Sequence, residues 1–249
     1  MTLTDIAGLF VVLLLIALMI AYLTVGSRWS YTLRHIPGFG TLGTAIERAV
    51  EAGERVHLSL GAGSILRDDA GAAFVGLAML RRIGEATTMS DRPVVVTSAD
   101  GATTLLAQDT LQSTFRRMGA SDRYHATSAR MLGPSPLSYT AGIPTLLATE
   151  DVSVQVMNGA FTQEGALAAD FGERREAFVI AGAHDVPAQA LLYAVAQNPL
   201  IGEEAFAGGA YLNVGGMQRA SLRTQDILRT LLIAAILIGT LLRTLGIGR

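Results

Sequence analysis

Apolar positions are concentrated at the two ends of the chain, and a mixed segment of about two hundred residues lies between them. Residues 6–25 contain no charged side chain. At a rise of about 1.5 Å per residue, a helix of this length spans the roughly 30 Å hydrocarbon core of a bilayer. The few residues before it carry Asp5 and no basic residue, unlike the basic start of a cleaved signal peptide. We therefore predict a retained N-terminal transmembrane anchor over residues 1–27.

The C-terminal apolar segment is less continuous than the N-terminal one. Residues 230–242 carry no charge but are too few to span a bilayer alone. Apolar flanks extend the segment to about twenty positions, and Arg229 and Arg243 lie near its ends, where long side chains reach the bilayer surface. The alternative is an amphipathic helix in the interface, but the apolar residues of 231–238 occupy every helical face. We predict a second transmembrane helix over residues 227–249.

The arginines near these two segments are unevenly distributed between the two sides. Those on the side of the central segment are Arg28, Arg34, Arg219 and Arg223, and those on the far side are Arg243 and Arg249. Because cytoplasmic flanks carry the excess of basic residues, the central segment is predicted to be cytoplasmic and both termini to lie outside. The predicted location is a bacterial cell membrane that the chain crosses twice, and the lipid bilayer is its first predicted partner.

The central segment alternates between strand and helix patterns. Short apolar or β-branched runs predict strands at residues 56–60, 94–97, 152–157 and 177–181, and the stretches between them predict helices. Continuous apolar runs separated by single helices are typical of a parallel sheet that is covered on both faces. We therefore predict an α/β fold over residues 28–226, with a mostly parallel, Rossmann-like sheet flanked by helices. For residues 134–144, which contain three prolines, we predict neither a helix nor a strand.

Composition limits the chemistry that the chain can perform. All 19 basic residues are arginine, and the chain has no cysteine. This excludes lysine Schiff bases, cysteine nucleophiles and cysteine metal sites. Only 16% of the residues are charged and the net charge is −2, so no basic face and no nucleic-acid partner are predicted. The four histidines show no metal-ligand spacing, and we predict neither a metal nor a cofactor.

Three glycines, Gly38, Gly40 and Gly43, spell G-x-G-x-x-G ahead of a predicted helix over residues 44–53. The dinucleotide fingerprint of that form follows a strand, whereas here a juxtamembrane segment ending in Pro37 precedes it. We therefore interpret the glycines as a flexible hinge, with a nucleotide site as the alternative.

Polar residues and glycines follow each predicted strand. They are Gly61, Gly63, Ser98, Asp100, Asn158, His184 and Asp185. The carboxyl ends of parallel strands meet at one edge, where open α/β sheets bind ligands, and glycines let backbone N–H groups approach an anion. We predict that these seven residues line a ligand site, and we assign no catalytic residue. For Asp100 and Asp185 the alternative role is the capping of helix N-termini.

Three stretches, residues 45–65, 94–119 and 177–189, carry a resemblance to a known family. The most distinctive pattern is E-x-G-x-x-V-H-x-S-x-G, formed by Glu51, Gly53, Val56, His57, Ser59 and Gly61. On these residues the chain resembles an uncharacterised bacterial family of membrane-associated proteins that carries a domain of unknown function. The resemblance implies terminal hydrophobic helices around such a domain, and it implies no activity or catalytic residues.

These patterns together favour a binding or structural role. We expect a membrane-anchored, non-enzymatic α/β module that binds a small ligand or serves as a subunit of a membrane assembly. Small residues four apart, Ala17 with Ala21 and Ala235 with Gly239, let helices approach closely and predict self-association. The chain lacks a nucleophile elbow and an H-E-x-x-H motif. The alternative is an enzyme that acts on a small anionic or nucleotide-like substrate at the carboxyl edge of the sheet.

Overall fold

The computed structural model describes residues 3–25 and 33–245, and the chain divides into two compact units. The helical unit consists of the described residues of Met1–Leu33 and Gly215–Arg249. The α/β unit consists of Arg34–Val214.

The helices and strands alternate along the α/β unit. In chain order the elements are α1 (Leu3–Val25), α2 (Pro37–Ala52), β1 (Arg55–Gly61), α3 (Ala70–Thr87), β2 (Val95–Ser98), α4 (Gly101–Arg117), β3 (Ala129–Met131), α5 (Pro136–Thr149), β4 (Val152–Ala160), α6 (Gly165–Glu173), β5 (Phe178–Ala183), α7 (Val186–Val195), β6 (Asn198–Leu200), α8 (Gly208–Tyr211) and α9 (Gly216–Thr244). Short 3₁₀ helices lie at Ser121–Arg123, Ala126–Ser128 and Gly202–Phe206.

All six strands form one parallel sheet in the order β3-β2-β1-β4-β5-β6. The α/β class and the parallel sheet flanked by helices are therefore confirmed. The order is that of doubly wound sheets that bind dinucleotides, and its direction reverses between β1 and β4. At that switch point Ser59 pairs in register with Met157, and Gly61 with Ala160. Open α/β sheets bind ligands in the crevice outside the carboxyl ends of such strands.

Helices cover both faces of the sheet because the side chains of its strands alternate. Val56, Leu58 and Leu60 of β1 pack in one core with α2, α3 and α4. The other core lies under α5, α6 and α7. Each fully buried aliphatic side chain contributes roughly 1.5–3 kcal/mol, so both faces hold the sheet in place.

The glycine-rich segment before β1 is helical, and the interpretation as a flexible hinge is wrong. Helix α2 begins at Pro37, whose fixed φ suits a first helical turn, so all three glycines of the G-x-G-x-x-G pattern lie within α2. A Cβ at Gly38 would lie 3.0 Å from the side chain of Ile180 and 3.1 Å from Cβ of Asn198. The absence of a side chain thus lets α2 approach the sheet closely.

Four of the helices and strands were not predicted from the sequence, and the four-residue helix α8 is one of them. Helix α5 occupies the proline-interrupted stretch, where Ser135 and Ser138 form a capping box, Pro136 opens the helix, and Pro144 lies inside it. The edge strands β3 and β6 have three residues each, which is too short for a periodic pattern.

The helical unit contains α1 and α9, which pack against each other. Within the described residues, α9 is the one helix long and apolar enough to cross a membrane, while the apolar part of α1, Gly8–Thr24, is shorter. The guanidinium of Arg223 lies 5.9 Å from the ring centroid of Tyr22, which puts the beginning of α9 beside the end of α1. Two of the arginines used to predict orientation, Arg28 and Arg249, lie outside the described residues.

Candidate functional site

The carboxyl edge of the sheet carries the seven residues singled out from the sequence, because every strand is parallel. Asp100 follows β2 and Asp185 follows β5, so the two carboxylates lie at the same edge. Strands β1 and β4 separate them, and three strand spacings amount to about 14 Å. The seven residues therefore divide into a group around Asp100 and a group around His184.

The group around Asp100 joins the end of β2 to the segment that follows β1. Oδ2 of Asp100 accepts a hydrogen bond from the backbone N–H of Thr103 at 2.8 Å, which caps α4. The hydroxyl of Thr103 lies 2.9 Å from Oδ2 of Asp100 and 2.9 Å from the carbonyl oxygen of Gly63. Oγ of Ser98, which is buried, accepts from the backbone N–H of Asp100 at 3.0 Å. Capping thus explains much of the geometry of Asp100.

The charge of Asp100 is stabilised in place. Burial would raise the pKa of its carboxyl, but hydrogen bonds from the backbone and hydroxyl of Thr103, from Ser64 and from the backbone of Ala102 outweigh burial and lower it. Asp100 is therefore an anion at neutral pH and is suited to accept hydrogen bonds.

At the switch point the ends of β1 and β4 lie too close together for a ligand to enter between them. Gly61 has φ +68°, and a Cβ there would collide with the carbonyl oxygen of Ala160, so this position requires glycine. Asn158 is 2% exposed and its amide donates to Sδ of Met79 in α3 at 3.1 Å. The side chain of Asn158 is therefore turned into the core under α3, away from the solvent at the edge.

His184 lines a pocket of about 530 Å³, hereafter the carboxyl-edge pocket, and no other member of the seven predicted site residues does so. Its walls are Leu66, Arg67, Asp68, Asp69 and His184. Four of these residues come from the loop between β1 and α3, and the exposed His184 comes from the turn between β5 and α7. Asp185, next to His184, caps α7 by accepting from the backbone N–H of Ala188 at 3.3 Å.

The loop residues of the carboxyl-edge pocket were not among the predicted site residues. Asp69 turns back toward the loop, and its Oδ1 accepts from the backbone N–H of Ser64 at 3.3 Å. The adjacent Arg67 and Asp68 are exposed and carry opposite charges. A run of three charged residues between a strand and a helix was the available signal, but charges at a helix start are common.

A chain of buried polar side chains lies beneath α5, away from the edge. Nε2 of His57 lies 2.8 Å from the hydroxyl of Thr97, which lies 2.6 Å from the hydroxyl of Tyr139. The Tyr139 hydroxyl is also 2.5 Å from that of Ser59. All four side chains are at most 1% exposed. The alternation of Arg55, His57 and Ser59 along a buried strand was the sequence signal for this layer.

The buried layer is held in its neutral state. Burial, with a smaller contribution from Arg130, lowers the pKa of His57 to about 3. Burial raises the pKa of Tyr139 to about 12, although hydrogen bonds from Ser59, Thr97 and the backbone of Gly61 oppose the rise. Neither group reaches solvent, so this layer is part of the buried support of the sheet.

The carboxyl edge offers charged and polar groups to a small molecule. Within residues 3–25 and 33–245, no group of three or more His, Asp or Glu side chains could hold a metal ion. The carboxyl-edge pocket offers one guanidinium, two carboxylates and an imidazole, which can donate and accept hydrogen bonds to a small polar molecule.

Comparison with known protein families gives a match over nearly the whole chain. The model of the family described as "Domain of unknown function (DUF6754)" matches residues 3–248. No curated protein and no solved structure matches the chain.

Proposed function

The chain belongs to the DUF6754 family of unknown function, and from its own geometry we propose that it is a membrane-anchored, non-enzymatic module that binds a small polar ligand. The observation that carries this proposal is the carboxyl-edge pocket, beside the switch point of a doubly wound sheet. A second role for the same chain is that of a subunit in a membrane assembly, built through α1 and α9.

Anchoring is supported by the surface of α9. The most apolar window of this helix is unburied, and Ile236, Leu237 and Leu241 are each 58–65% exposed. Contiguous aliphatic surface of this kind is rare on soluble monomers and common in membrane segments. The long side chains of Arg219 and Arg223 lie before the apolar part of α9, where basic residues mark a cytoplasmic flank.

Two spans follow if α1 accompanies α9 through the bilayer. The contact of Arg223 with Tyr22 joins the end of one helix to the beginning of the other, as in an antiparallel pair. In that arrangement both termini lie on the side opposite the α/β unit. We propose that the membrane is a bacterial cell membrane and that the α/β unit faces the cytoplasm.

Alkaline carbonate extraction and reporter fusions test the anchoring together. We expect the full chain to stay in the membrane pellet, and we expect alkaline phosphatase fused after Arg249 to be active in a bacterial host. A cytoplasmic reporter fused at the same position serves as the matched control and is expected to be inactive. Release of the chain by carbonate would refute anchoring, and the reverse reporter pattern would refute the orientation.

Ligand binding is tested by a thermal-shift screen of the full chain in a non-ionic detergent. Probes are nucleotides, sugar phosphates, carboxylic acids and amino acids. A ligand at one hundred times its Kd stabilises the native state by about 2.7 kcal/mol, which raises the melting temperature measurably. We expect His184→Ala to remove the shift and His35→Ala, an exposed histidine of the α/β unit that does not line the pocket, to keep it. No shift with any probe, or equal shifts in both variants, would contradict the proposal.

The alternative of an enzyme keeps one observation in its favour. Gly61 ends β1, Gly63 follows it, and the anionic Asp100 follows β2; the ends of these two strands are the places where doubly wound sheets hold a pyrophosphate and a ribose. Any nucleotide that shifts the melting temperature is therefore incubated with the protein and followed by ³¹P NMR. Turnover that Asp100→Asn abolishes would favour the enzyme over the binding module.

A further inference from the structure

A second pocket, of about 420 Å³, lies at the opposite, amino edge of the sheet, and we call it the amino-edge pocket. It opens where β1, β2 and β3 begin, since Arg55 starts β1, Pro93 precedes β2 and Ser128 precedes β3. Its donors include three guanidinium groups and three hydroxyls, from Arg55, Arg123, Arg130, Ser90, Thr127 and Ser128. The imidazole of His125 adds a further polar group. No part of the function proposed above uses this pocket.

Two of the three guanidinium groups share one carboxylate. Arg55 and Arg130 both form ion pairs with Glu150 at the end of α5. This triad of two arginines and one glutamate therefore has a net charge of +1. The Nε atoms of both arginines are buried and, among the described residues, have no hydrogen-bond partner. Burial lowers the pKa of Arg55, as do Arg130 and Arg92, and Glu150 alone opposes them. An additional anion would therefore be stabilised at this triad.

The third guanidinium group, that of Arg123, is held by backbone carbonyls. Nη1 of Arg123 donates to the backbone carbonyls of Met89 at 3.0 Å and Ser90 at 3.4 Å. In the described part of the chain no carboxylate lies within 4 Å of Arg123. These backbone bonds hold the guanidinium beside the pocket while leaving its charge uncompensated.

The acidic residues of this pocket stand at its exposed rim. Asp91 and Asp122 also line it, and both are solvent-exposed, unlike the partly buried Arg55, Arg123 and Arg130. Water screens exposed charges strongly, whereas partly buried charges act at a lower effective dielectric constant. The arginines therefore determine which ligand charge the interior of the pocket favours.

We propose that the amino-edge pocket binds a small tetrahedral oxyanion, a phosphate group, held by Arg55, Arg123 and Arg130 with help from the hydroxyls. Guanidinium groups form paired hydrogen bonds with phosphate oxygens, and hydroxyls from Thr127 and Ser128 complete such a shell. The phosphate is free or belongs to an ester, which includes a lipid headgroup.

Inorganic phosphate is the probe that tests the pocket, titrated by calorimetry into the full chain in a non-ionic detergent. The first variant is Arg123→Gln, because changing Arg55 or Arg130 would leave Glu150 short of a partner. The matched control is Arg174→Gln, which also removes one charge, from an exposed pair with Asp170 on α6. We expect Arg123→Gln to weaken phosphate binding at least about tenfold and Arg174→Gln to change it less than about twofold.

A second variant acts in the opposite direction. Glu150→Gln removes the carboxylate that competes for Arg55 and Arg130, so phosphate is expected to bind at least about threefold more tightly. Circular dichroism checks that each variant is folded; should Glu150→Gln unfold, the comparison of Arg123→Gln with Arg174→Gln decides alone. Absence of phosphate binding by the wild-type chain, or equal weakening in those two variants, overturns the proposal.

Two further measurements are needed. The first distinguishes free phosphate from a lipid headgroup, and the second distinguishes the amino-edge pocket from the carboxyl-edge pocket. Lipid nanodiscs that contain phosphatidic acid compete with inorganic phosphate if the headgroup is the ligand, and nanodiscs of phosphatidylcholine alone serve as the control. His184→Ala, at the carboxyl-edge pocket, is expected to leave phosphate affinity unchanged. A loss of phosphate binding in His184→Ala would assign the anion to the other edge and overturn the proposal.

Discussion

Replacing His57 by glutamine is expected to reduce the acid sensitivity of the folded protein. The imidazole is fully buried and its only hydrogen bond among the described residues goes to Thr97. Glutamine has no ionisable group and can still bond to the Thr97 hydroxyl, so the variant removes a titration while keeping a polar contact.

The magnitude follows from the difference in pKa between the folded and unfolded chains. Burial lowers the pKa of His57 to about 3 in the folded protein, against 6.5 for the free side chain. The unfolded chain therefore binds an extra proton as the pH falls below 6.5, and stability that is fully present above that pH is lost progressively down to about pH 3. At 1.36 kcal/mol per pKa unit, the loss between about pH 7.5 and pH 5 amounts to roughly 2 kcal/mol.

The assay is urea unfolding of the full chain in a non-ionic detergent at those two pH values. Wild type and His57→Gln share every other titrating group, so the difference between their pH dependences isolates His57. We expect the variant to be less stable at neutral pH, because it packs less well, and to lose about 2 kcal/mol less on acidification.

Equal pH dependences in the two proteins would refute the reasoning. Such a result would mean that the imidazole titrates alike in the folded and unfolded chains, which is incompatible with a buried neutral His57. The NMR signal of the His57 ring provides an independent check, because a chemical shift that titrates above pH 5 would be equally incompatible with that burial.

Two further predictions concern a helix cap and helix association. Asp100→Asn is expected to leave the free energy of unfolding nearly unchanged, whereas Asp100→Ala should lower it by about 1 kcal/mol, as measured by urea unfolding; equal losses would mean that the charge, not the cap, matters. Gly239→Leu should abolish chemical cross-linking of two copies in native membranes, while Ala234→Leu on a neighbouring face should not. A Cβ at Gly239 meets no atom within 4 Å, so the variant tests association without disturbing the single chain, and cross-linking that survives would exclude this face.

The sequence was sufficient to predict the four inner strands of the sheet. The run of residues 94–97, which is apolar or β-branched throughout, results from burial on both faces of β2, so pattern and structure share one cause. The edge strands β3 and β6 could not be recognised in this way. With three residues each they have too few positions for any period to show.

Two helices were predicted incorrectly because their sequences contain glycine or proline: α2 was predicted to begin too late, and α5 was not predicted. Local propensity opposes a helix through Gly38 and Gly40, but packing against Ile180 favours it, and packing is invisible in local sequence. In α5 the prolines suggested irregular structure, although Ser135 and Pro136 are the usual residues at a helix start.

The sequence predicted which edge of the sheet carries the candidate site residues, but not how far apart they lie along it. Parallel strands guarantee that Asp100 and His184 share one edge, but the strand order decides their separation, and strand order is not encoded in local pattern. The carboxyl-edge pocket depends on the path of the loop through Arg67 and Asp69, which no periodicity describes.

The polar layer under α5 also favours the observed alignment of β1 with β2. Ser59 and Thr97 are direct partners across these strands, and both hydroxyls meet that of Tyr139. Purely apolar strands could slide by two residues and keep the same faces buried, because side chains alternate with period two. Here such a slide would carry one hydroxyl about 6.6 Å from its partner and leave buried oxygens unbonded, at about 1–3 kcal/mol each. Once helix α5 is docked, the polar layer therefore favours the observed register over one that is shifted by two residues.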